Sequence, residues 1–180
     1  MKLLAILLAL AAPGAWAQDD FKGYVPPSER FSCEAPADWS AFEEEEPSGS
    51  AVHFLGPEDP SGAYRAGIDV HFVDSGRPGY VPAKTAIENL RRSEKLSQRQ
   101  STPVKRFAIG KGLARIFEVW EKRSVPGERS PSVAVALHHF VAVVESGEDY
   151  FVVRLSSAEE QYVDFRKVFV RFLKSFRAKG

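Results

Sequence analysis

Apolar and polar positions alternate most regularly in two stretches of this chain. Between Tyr64 and Val73 the even-numbered positions are apolar, whereas the odd-numbered positions include Arg65, Asp69 and His71. Tyr150–Leu155 repeats the same two-residue period. Because successive side chains of a strand point to opposite faces, both stretches are predicted to be strands, and the Arg65 side of the first is expected to face solvent.

After Leu155 the period changes from that of a strand to that of a helix. Ser157 is followed three residues later by Glu160, which is the spacing of a capping box at a helix start. Aromatic residues then recur at steps of three or four, at Tyr162, Phe165, Phe169, Phe172 and Phe176. The pattern predicts a closing helix that begins at Ser157 and lays an aromatic face on the preceding strands.

The rest of the chain contains short apolar runs between clusters of turn residues. The further predicted strands are Phe31–Ala35, Ala51–Leu55, Val104–Ile109, Leu113–Lys122 and Val133–Glu145. A second helix is predicted from Ala83 to about Ser93, and Gly110–Gly112 is typical of a hairpin turn.

These elements predict an α+β fold, with a largely antiparallel sheet flanked by helices. Residues 31–180 are expected to form a single domain. Residues 18–30 are polar and carry two prolines, so we expect a loosely ordered lead-in. Glu43–Glu46 and the following Pro47–Gly49 are predicted to be an acidic loop.

The first 17 residues have the features of a secretory signal peptide. Lys2 precedes an apolar run from Leu3 to Ala12, and Ala15–Ala17 matches a small-residue cleavage site. The run is too short to span a bilayer, which takes about 20 residues. We therefore expect export and cleavage after Ala17, which places the mature domain in the periplasm or outside the cell.

Composition narrows the possible functions only slightly. The 180 residues carry 24 basic and 24 acidic side chains, so no general attraction to nucleic acid or anionic membrane is expected. The single cysteine, Cys33, alternates with Phe31 and Ala35 and is expected to be a buried, unreactive thiol without a disulfide.

Several of these segments resemble the PsbP-like fold family and the related DcrB-type exported bacterial proteins. Phe31–Trp39 resembles the family's opening strand, which leads into a proline and a tryptophan, and Val52–Phe54 resembles its second strand. Gly112–Ala114 and Tyr150–Phe176 resemble the central hairpin and the closing strand and helix. The resemblance implies a sheet flanked by helices, as an α/β/α sandwich, and a binding or assembly-assisting role. It transfers no functional residue to this chain.

The residues themselves indicate no catalytic motif, metal site or cofactor. His138 and His139 are adjacent on a predicted strand and point to opposite faces, so they are poorly placed to share a metal. We expect one of them to be partly buried and hydrogen-bonded and the other to lie on the sheet surface. Glu43–Glu46 lack the ligand spacing of a calcium loop.

Three functional hypotheses remain from the sequence. The leading one is a non-enzymatic domain of the cell envelope that binds another protein or assists assembly. The alternative is a carrier of a small ligand or lipid, with a pocket between sheet and helix lined by Phe165, Phe169 and Phe172. The third is an enzyme in which Asp69, two residues from His71, orients that imidazole as a base. The oligomeric state stays open.

Overall fold

A computed structural model describes residues 20–110, 112–125 and 132–179. Its strands are β1 (Phe21–Tyr24), β2 (Phe31–Pro36), β3 (Ser40–Glu46), β4 (Gly49–Glu58), β5 (Arg65–Val73), β6 (Gln100–Ser101), β7 (Lys105–Ile109), β8 (Gly112–Val125), β9 (Val133–Ser146), β10 (Asp149–Ala158) and β11 (Arg177–Ala178). Its helices are α1 (Ala83–Leu90) and α2 (Tyr162–Ser175), and a 3-10 turn, Glu159–Gln161, precedes α2. The predicted signal peptide lies outside the described residues.

A large sheet forms the centre of the fold. Its strand order is β3-β4-β5-β10-β9-β8-β6, and β7 pairs with β8 beside β6. Each of these pairings is antiparallel. A smaller antiparallel sheet has the order β1-β2-β11. The prediction of an α+β fold with a largely antiparallel sheet is therefore confirmed.

One face of the large sheet packs against α2 and the small sheet. Phe169 and Phe172 on α2 are fully buried, and their rings lie 5.1 Å and 5.2 Å from those of Phe140 and Phe54. Aromatic pairs at such distances stabilise a fold by more than the burial of their apolar area alone. Gly56 belongs to this layer because a Cβ there would lie 2.6 Å from the Trp39 ring. We call this side of the sheet the helix α2 face.

Helix α1 covers only part of the opposite face. Its buried residues Ala83, Ala86 and Ile87 pack on β8, β9 and β10 through the cluster that includes Phe117 and Val141. Val73, at the end of β5, also belongs to this cluster, whereas β3, β4 and the rest of β5 lie beyond it. We call the side of the sheet that carries α1 the open face, because over these three strands most of its side chains, apart from Ala51 and Val73, remain partly exposed.

The structure differs from the sequence prediction at β1 and at β3. Within residues 18–30, Phe21–Tyr24 is the strand β1, which pairs with Cys33–Pro36 and is therefore ordered by backbone hydrogen bonds. Glu43–Glu46 is part of β3 and not a loop, since all four residues pair with β4. The acidic run is compatible with a strand because β3 lies at the edge of the sheet, where Glu44 and Glu45 are exposed; Glu43 is half-buried and accepts a hydrogen bond from the Ser28 backbone.

The predicted capping box at Ser157 and Glu160 is wrong. Ser157 lies within β10, and α2 starts five residues later, at Tyr162, with no side-chain capping bond. Strand pairing of Ser157 with His138 extends β10 beyond the predicted helix start. Tertiary pairing here outweighs the local capping signal.

Candidate functional site

The open face carries a group of charged and imidazole side chains on four neighbouring strands. The group consists of Glu44 and Glu46 on β3, His53 on β4, Asp69 and His71 on β5, and Arg154 on β10. Two apolar side chains flank it, Phe42 and Leu55, which are 47% and 38% exposed. This set of eight residues is the candidate site.

The strand register brings these residues together. His53 pairs directly with Asp69, and Asp69 pairs directly with Arg154. Directly paired residues of antiparallel strands point to the same face, so the three side chains form a row across β4, β5 and β10. His71 lies one step along β5 on the same face.

Asp69 is the centre of the network. Its Oδ1 lies 2.8 Å from His53 Nδ1, and its Oδ2 accepts a 2.8 Å hydrogen bond from Arg154 Nη2. Burial pushes the pKa of Asp69 upward, but the Arg154 charge and the hydrogen bonds from Arg154 and His53 outweigh it, so the pKa lies below its ordinary value. Asp69 is therefore an ionised anchor for its two partners.

His53 lies between two carboxylates. Its Nε2 is 3.1 Å from Glu44 Oε1, while its Nδ1 faces Asp69. The ring can donate hydrogen bonds to both carboxylates only when both nitrogens carry a proton. Phe42 stacks on the His53 ring with centroids 5.0 Å apart. An exposed apolar side chain is therefore in contact with the charged row.

The predicted pairing of Asp69 with His71 is wrong. His71 Nδ1 contacts Glu46 Oε2 at 3.0 Å, whereas Asp69 is occupied by His53 and Arg154. Asp69 is closer to His53 and Arg154, its direct cross-strand neighbours, than to His71, which is two residues away on the same strand. His53 is therefore oriented by a carboxylate from the adjacent strand β5, whereas the carboxylate on His71 reaches across β4 from β3.

A second polar group lies on the same face, closer to α1. His139 Nδ1 is 2.8 Å from Ser156 Oγ, and its Nε2 is 3.4 Å from Glu121, which also pairs with Arg99 and Arg123. The hydrogen bond from His139 is the largest influence on Glu121 and, with the two arginines, lowers its pKa to about 2 against the opposing effect of burial.

His138 points to the opposite side, towards α2. Its ring stacks on Tyr162 and lies near Trp120, with centroids 3.3 Å and 4.7 Å away. Glu118 is 3.2 Å from Nε2; Glu159 is also 3.2 Å from Nδ1, but without hydrogen-bond geometry. Burial lowers the pKa of His138 despite both carboxylates. His138 and His139 point to opposite faces as predicted, but both are buried, so neither is a surface histidine.

The described residues contain no cluster suited to a metal ion. Across residues 20–110, 112–125 and 132–179, no three His, Cys, Asp or Glu side chains are arranged to hold one. Cys33 is buried and free, as expected, and burial together with Glu34 raises its pKa to about 12. The thiolate form is thus strongly disfavoured, and the thiol is unreactive near neutral pH.

The three aromatic residues predicted for a carrier pocket lie in the layer between α2 and the sheet. Phe169 and Phe172 are fully buried, and Phe165 is partly buried with its ring 5.9 Å from that of Trp39. An open cleft of about 530 Å³ lies elsewhere, beside the start of α1, between Tyr80, Lys84 and the turn after β9.

Sequence reasoning identified part of the candidate site. It placed Asp69 and His71 on a solvent-facing side of β5 but did not select His53, Arg154, Glu44 or Glu46 as their partners. Only the sheet register reveals these contacts, because the four residues lie on other strands. The polar positions that interrupt otherwise apolar strands, such as His53 within Ala51–Leu55, were the available signal.

No protein-family model matches the chain, and no curated protein matches it significantly. Solved structures do resemble it. Cyanobacterial PsbP (CyanoP) from Synechocystis sp. PCC 6803 has a TM-score of 0.50 at 11% identity, covering 94% of this chain and 99% of that one. The Ran-binding protein Mog1p of Saccharomyces cerevisiae has a TM-score of 0.51 at 10% identity, covering 88% and 95%.

A crystal structure from Bacteroides thetaiotaomicron is also similar, with a TM-score of 0.52 at 15% identity. The match covers 88% of this chain but only 48% of that protein, so the chain spans about half its length. Together these similarities show that the chain has the PsbP-like fold, and they confirm the resemblance noted in its sequence. At such identities the likeness concerns the fold alone.

Proposed function

We propose that this chain is an exported, non-enzymatic domain of the cell envelope that binds another protein through its open face. The observation that carries the proposal is the candidate site itself. A charged row on an incompletely covered sheet is flanked by the exposed apolar side chains of Phe42 and Leu55. Protein interfaces commonly combine aromatic or aliphatic contacts with a polar rim that sets orientation.

The site chemistry favours binding over catalysis. Both Asp69 oxygens are held by partners, and His71 and His53 each face a carboxylate from β3. Networks of this kind fix one another's geometry, and the hydrogen-bond partners of His53 and His71 among the described residues are carboxylates, with no hydroxyl or thiol that either imidazole could activate as a nucleophile. Ion pairs on a sheet surface instead offer an arrangement of charge that a complementary protein can match.

The location and the class of function rest on separate support. The predicted signal peptide, residues 1–17, motivates export, and across the described ranges no helix is long and apolar enough to cross a membrane. Mog1p is a Ran-binding protein with the same fold. This supports the idea that the PsbP-like architecture can present a protein-binding surface, without indicating the partner.

Affinity capture from crosslinked envelope extract tests the proposal. The tagged full chain is expected to recover a specific envelope protein, and Leu55→Asp is expected to lose most of it because an added carboxylate opposes docking beside Asp69. Val163→Asp is the matched control, since Val163 is 67% exposed on the outer side of α2 and the substitution adds the same charge. Recovery of the same protein by Leu55→Asp and wild type would place docking elsewhere, and recovery of none would remove the proposal.

A further inference from the structure

The two long edges of the large sheet are both unpaired within the described chain. On one side β3 pairs with β4, and on the other β7 pairs with β8. Outside these ladders, no backbone hydrogen bond of the described residues involves Ser40–Glu46 or Lys105–Ile109. Each edge therefore presents a row of free N–H and C=O groups, which is a template for a further strand.

The two edges carry opposite charge. β3 contains Glu43–Glu46. Their ion-pair contacts are Arg77, 3.6 Å from Glu45, and the two histidines of the open face, which contact Glu44 and Glu46. β7 begins with Lys105 and Arg106, both exposed and without a carboxylate at ion-pair distance among the described residues. Arg106 lies opposite Arg115, which is already paired with Glu145.

The charges are distributed over both faces of each edge. On β3, Glu43 and Glu45 alternate with Glu44 and Glu46, so each face carries two carboxylates; on the helix α2 face Glu45 is the exposed one, because Glu43 is half-buried and bound to the Ser28 backbone N–H. On β7, Lys105 pairs with Ile116 on the helix α2 face, and Arg106 pairs with Arg115 on the open face. A strand-to-strand contact between the two edges would thus bring acid opposite base on both faces.

Strand direction permits such a contact between two copies in the same orientation. Six consecutive antiparallel pairings separate β3 from β7, so the two strands run in the same direction. We infer that the β3 edge of one copy docks on the β7 edge of a second copy of this chain, by parallel strand pairing with the helix α2 faces on the same side.

Charge selects this arrangement over other edge contacts. Two β3 edges would bring eight glutamates together, and two β7 edges would bring basic side chains together, so like edges repel. The balance of 24 basic and 24 acidic residues leaves no net repulsion between copies. The contact is head-to-tail and leaves one free edge at each end, so chains of copies can grow with concentration.

Sedimentation velocity of the charge-reversed variants tests the inference. Wild type is expected to form dimers and longer species as concentration rises, and to dissociate at about 0.5 M salt because exposed charge pairs are screened. Glu45→Lys and Lys105→Glu change exposed residues on the helix α2 face of the two edges. Each alone is expected to weaken association about tenfold or more.

Mixing the two variants gives the decisive result. The basic β3 of Glu45→Lys then meets the acidic β7 of Lys105→Glu, so an equimolar mixture is expected to associate more strongly than either variant alone. Glu88→Lys and Lys84→Glu, exposed on α1, are matched controls and should sediment as wild type. A wild type that stays monomeric at low salt, or a mixture that associates no better than its components, overturns the inference.

The outcome is separable from open-face binding. Leu55 lies on β4, one strand inside the edge, so Leu55→Asp is expected to keep wild-type sedimentation while losing the envelope partner. Glu45→Lys should keep the partner while losing self-association. If both substitutions abolish the same contact, the edge proposal fails as a distinct interaction.

Discussion

Ser157 is a buried hydroxyl group whose oxygen has no hydrogen-bond partner among the described residues. Since burying an unpaired hydroxyl costs about 1–3 kcal/mol, Ser157→Ala is expected to leave the free energy of unfolding unchanged or to raise it. Chemical denaturation measures this directly. A helix-capping serine would behave in the opposite way, because loss of a cap costs about 1 kcal/mol.

Ser175 provides the control for that prediction. Its Oγ accepts a 2.8 Å hydrogen bond from the Glu34 backbone and donates one to the Phe172 carbonyl. Ser175→Ala is expected to lower the unfolding free energy by about 1 kcal/mol. Equal losses for Ser157→Ala and Ser175→Ala would contradict the absence of a partner for the buried Ser157 hydroxyl among the described residues.

The buried histidines predict a stability that falls on acidification. Burial lowers the pKa of both His138 and His139 from their ordinary value of 6.5, so the folded chain binds fewer protons than the unfolded chain below that pH. Stability is therefore complete above about pH 6.5 and is lost as the pH falls. Glu121 adds a second loss of stability, which occurs as the pH falls from about 4.5, its ordinary pKa, to about 2, its pKa in the folded chain.

Urea titrations at a series of pH values check this dependence. The double variant His138→Gln and His139→Gln removes two protonation sites, so its unfolding free energy should vary less between about pH 7 and pH 5 than that of wild type. The separate single variants show which imidazole dominates. A steeper dependence in the double variant would mean that protonated histidine stabilises the fold.

Single residues show why the candidate site was only partly predictable. The alternation around Asp69 and His71 correctly placed both on the solvent-facing side of β5. Their hydrogen-bond partners could not be deduced, because register is set by tertiary pairing of strands distant in sequence. The contact predicted from local sequence, between Asp69 and His71 of the same strand, is wrong.

At the scale of elements, α2 holds the helix α2 face together. Phe172 is fully buried, and its ring contacts those of Phe54 and Phe176. Phe172→Ala is expected to lower the unfolding free energy by about 3–5 kcal/mol, because a large cavity would remain between helix and sheet. Val163→Ala, on the exposed side of α2, should change it by less than about 0.5 kcal/mol.

The result also bears on the carrier hypothesis, which stays a prediction. If Phe165, Phe169 and Phe172 surround a ligand, Phe172→Ala should alter ligand occupancy in preference to stability. A loss of less than about 1 kcal/mol would contradict the role of Phe172 as a packed core residue.

Elements with a clear period were predicted well, and elements without one were not. The strands β5, β8, β9 and β10 and the helices α1 and α2 were identified from their patterns. By contrast, β1 and the acidic half of β3 have little apolar periodicity, because an edge strand needs no buried row on both faces. These segments are strands because they pair with β2 and β4, which have a clear apolar pattern.

At the scale of the whole molecule, the two helices cover the two faces of the large sheet to different extents. α2 and the small sheet cover the helix α2 face, whereas α1 covers only β8, β9, β10 and the end of β5 on the open face. The sequence indicated two helices on a sheet but not how far each extends over it. The uncovered strands β3, β4 and β5 carry the site to which we assign protein binding.

Site-specific photo-crosslinking in cells tests this assignment most directly. A photoreactive amino acid at position 42 or 55 is expected to form an adduct with one and the same envelope protein, because both side chains flank the charged row. The same amino acid at position 163, on the far side of α2, should form no such adduct. Adducts of one protein from position 163 alone, or none from positions 42 and 55, would contradict binding through the open face.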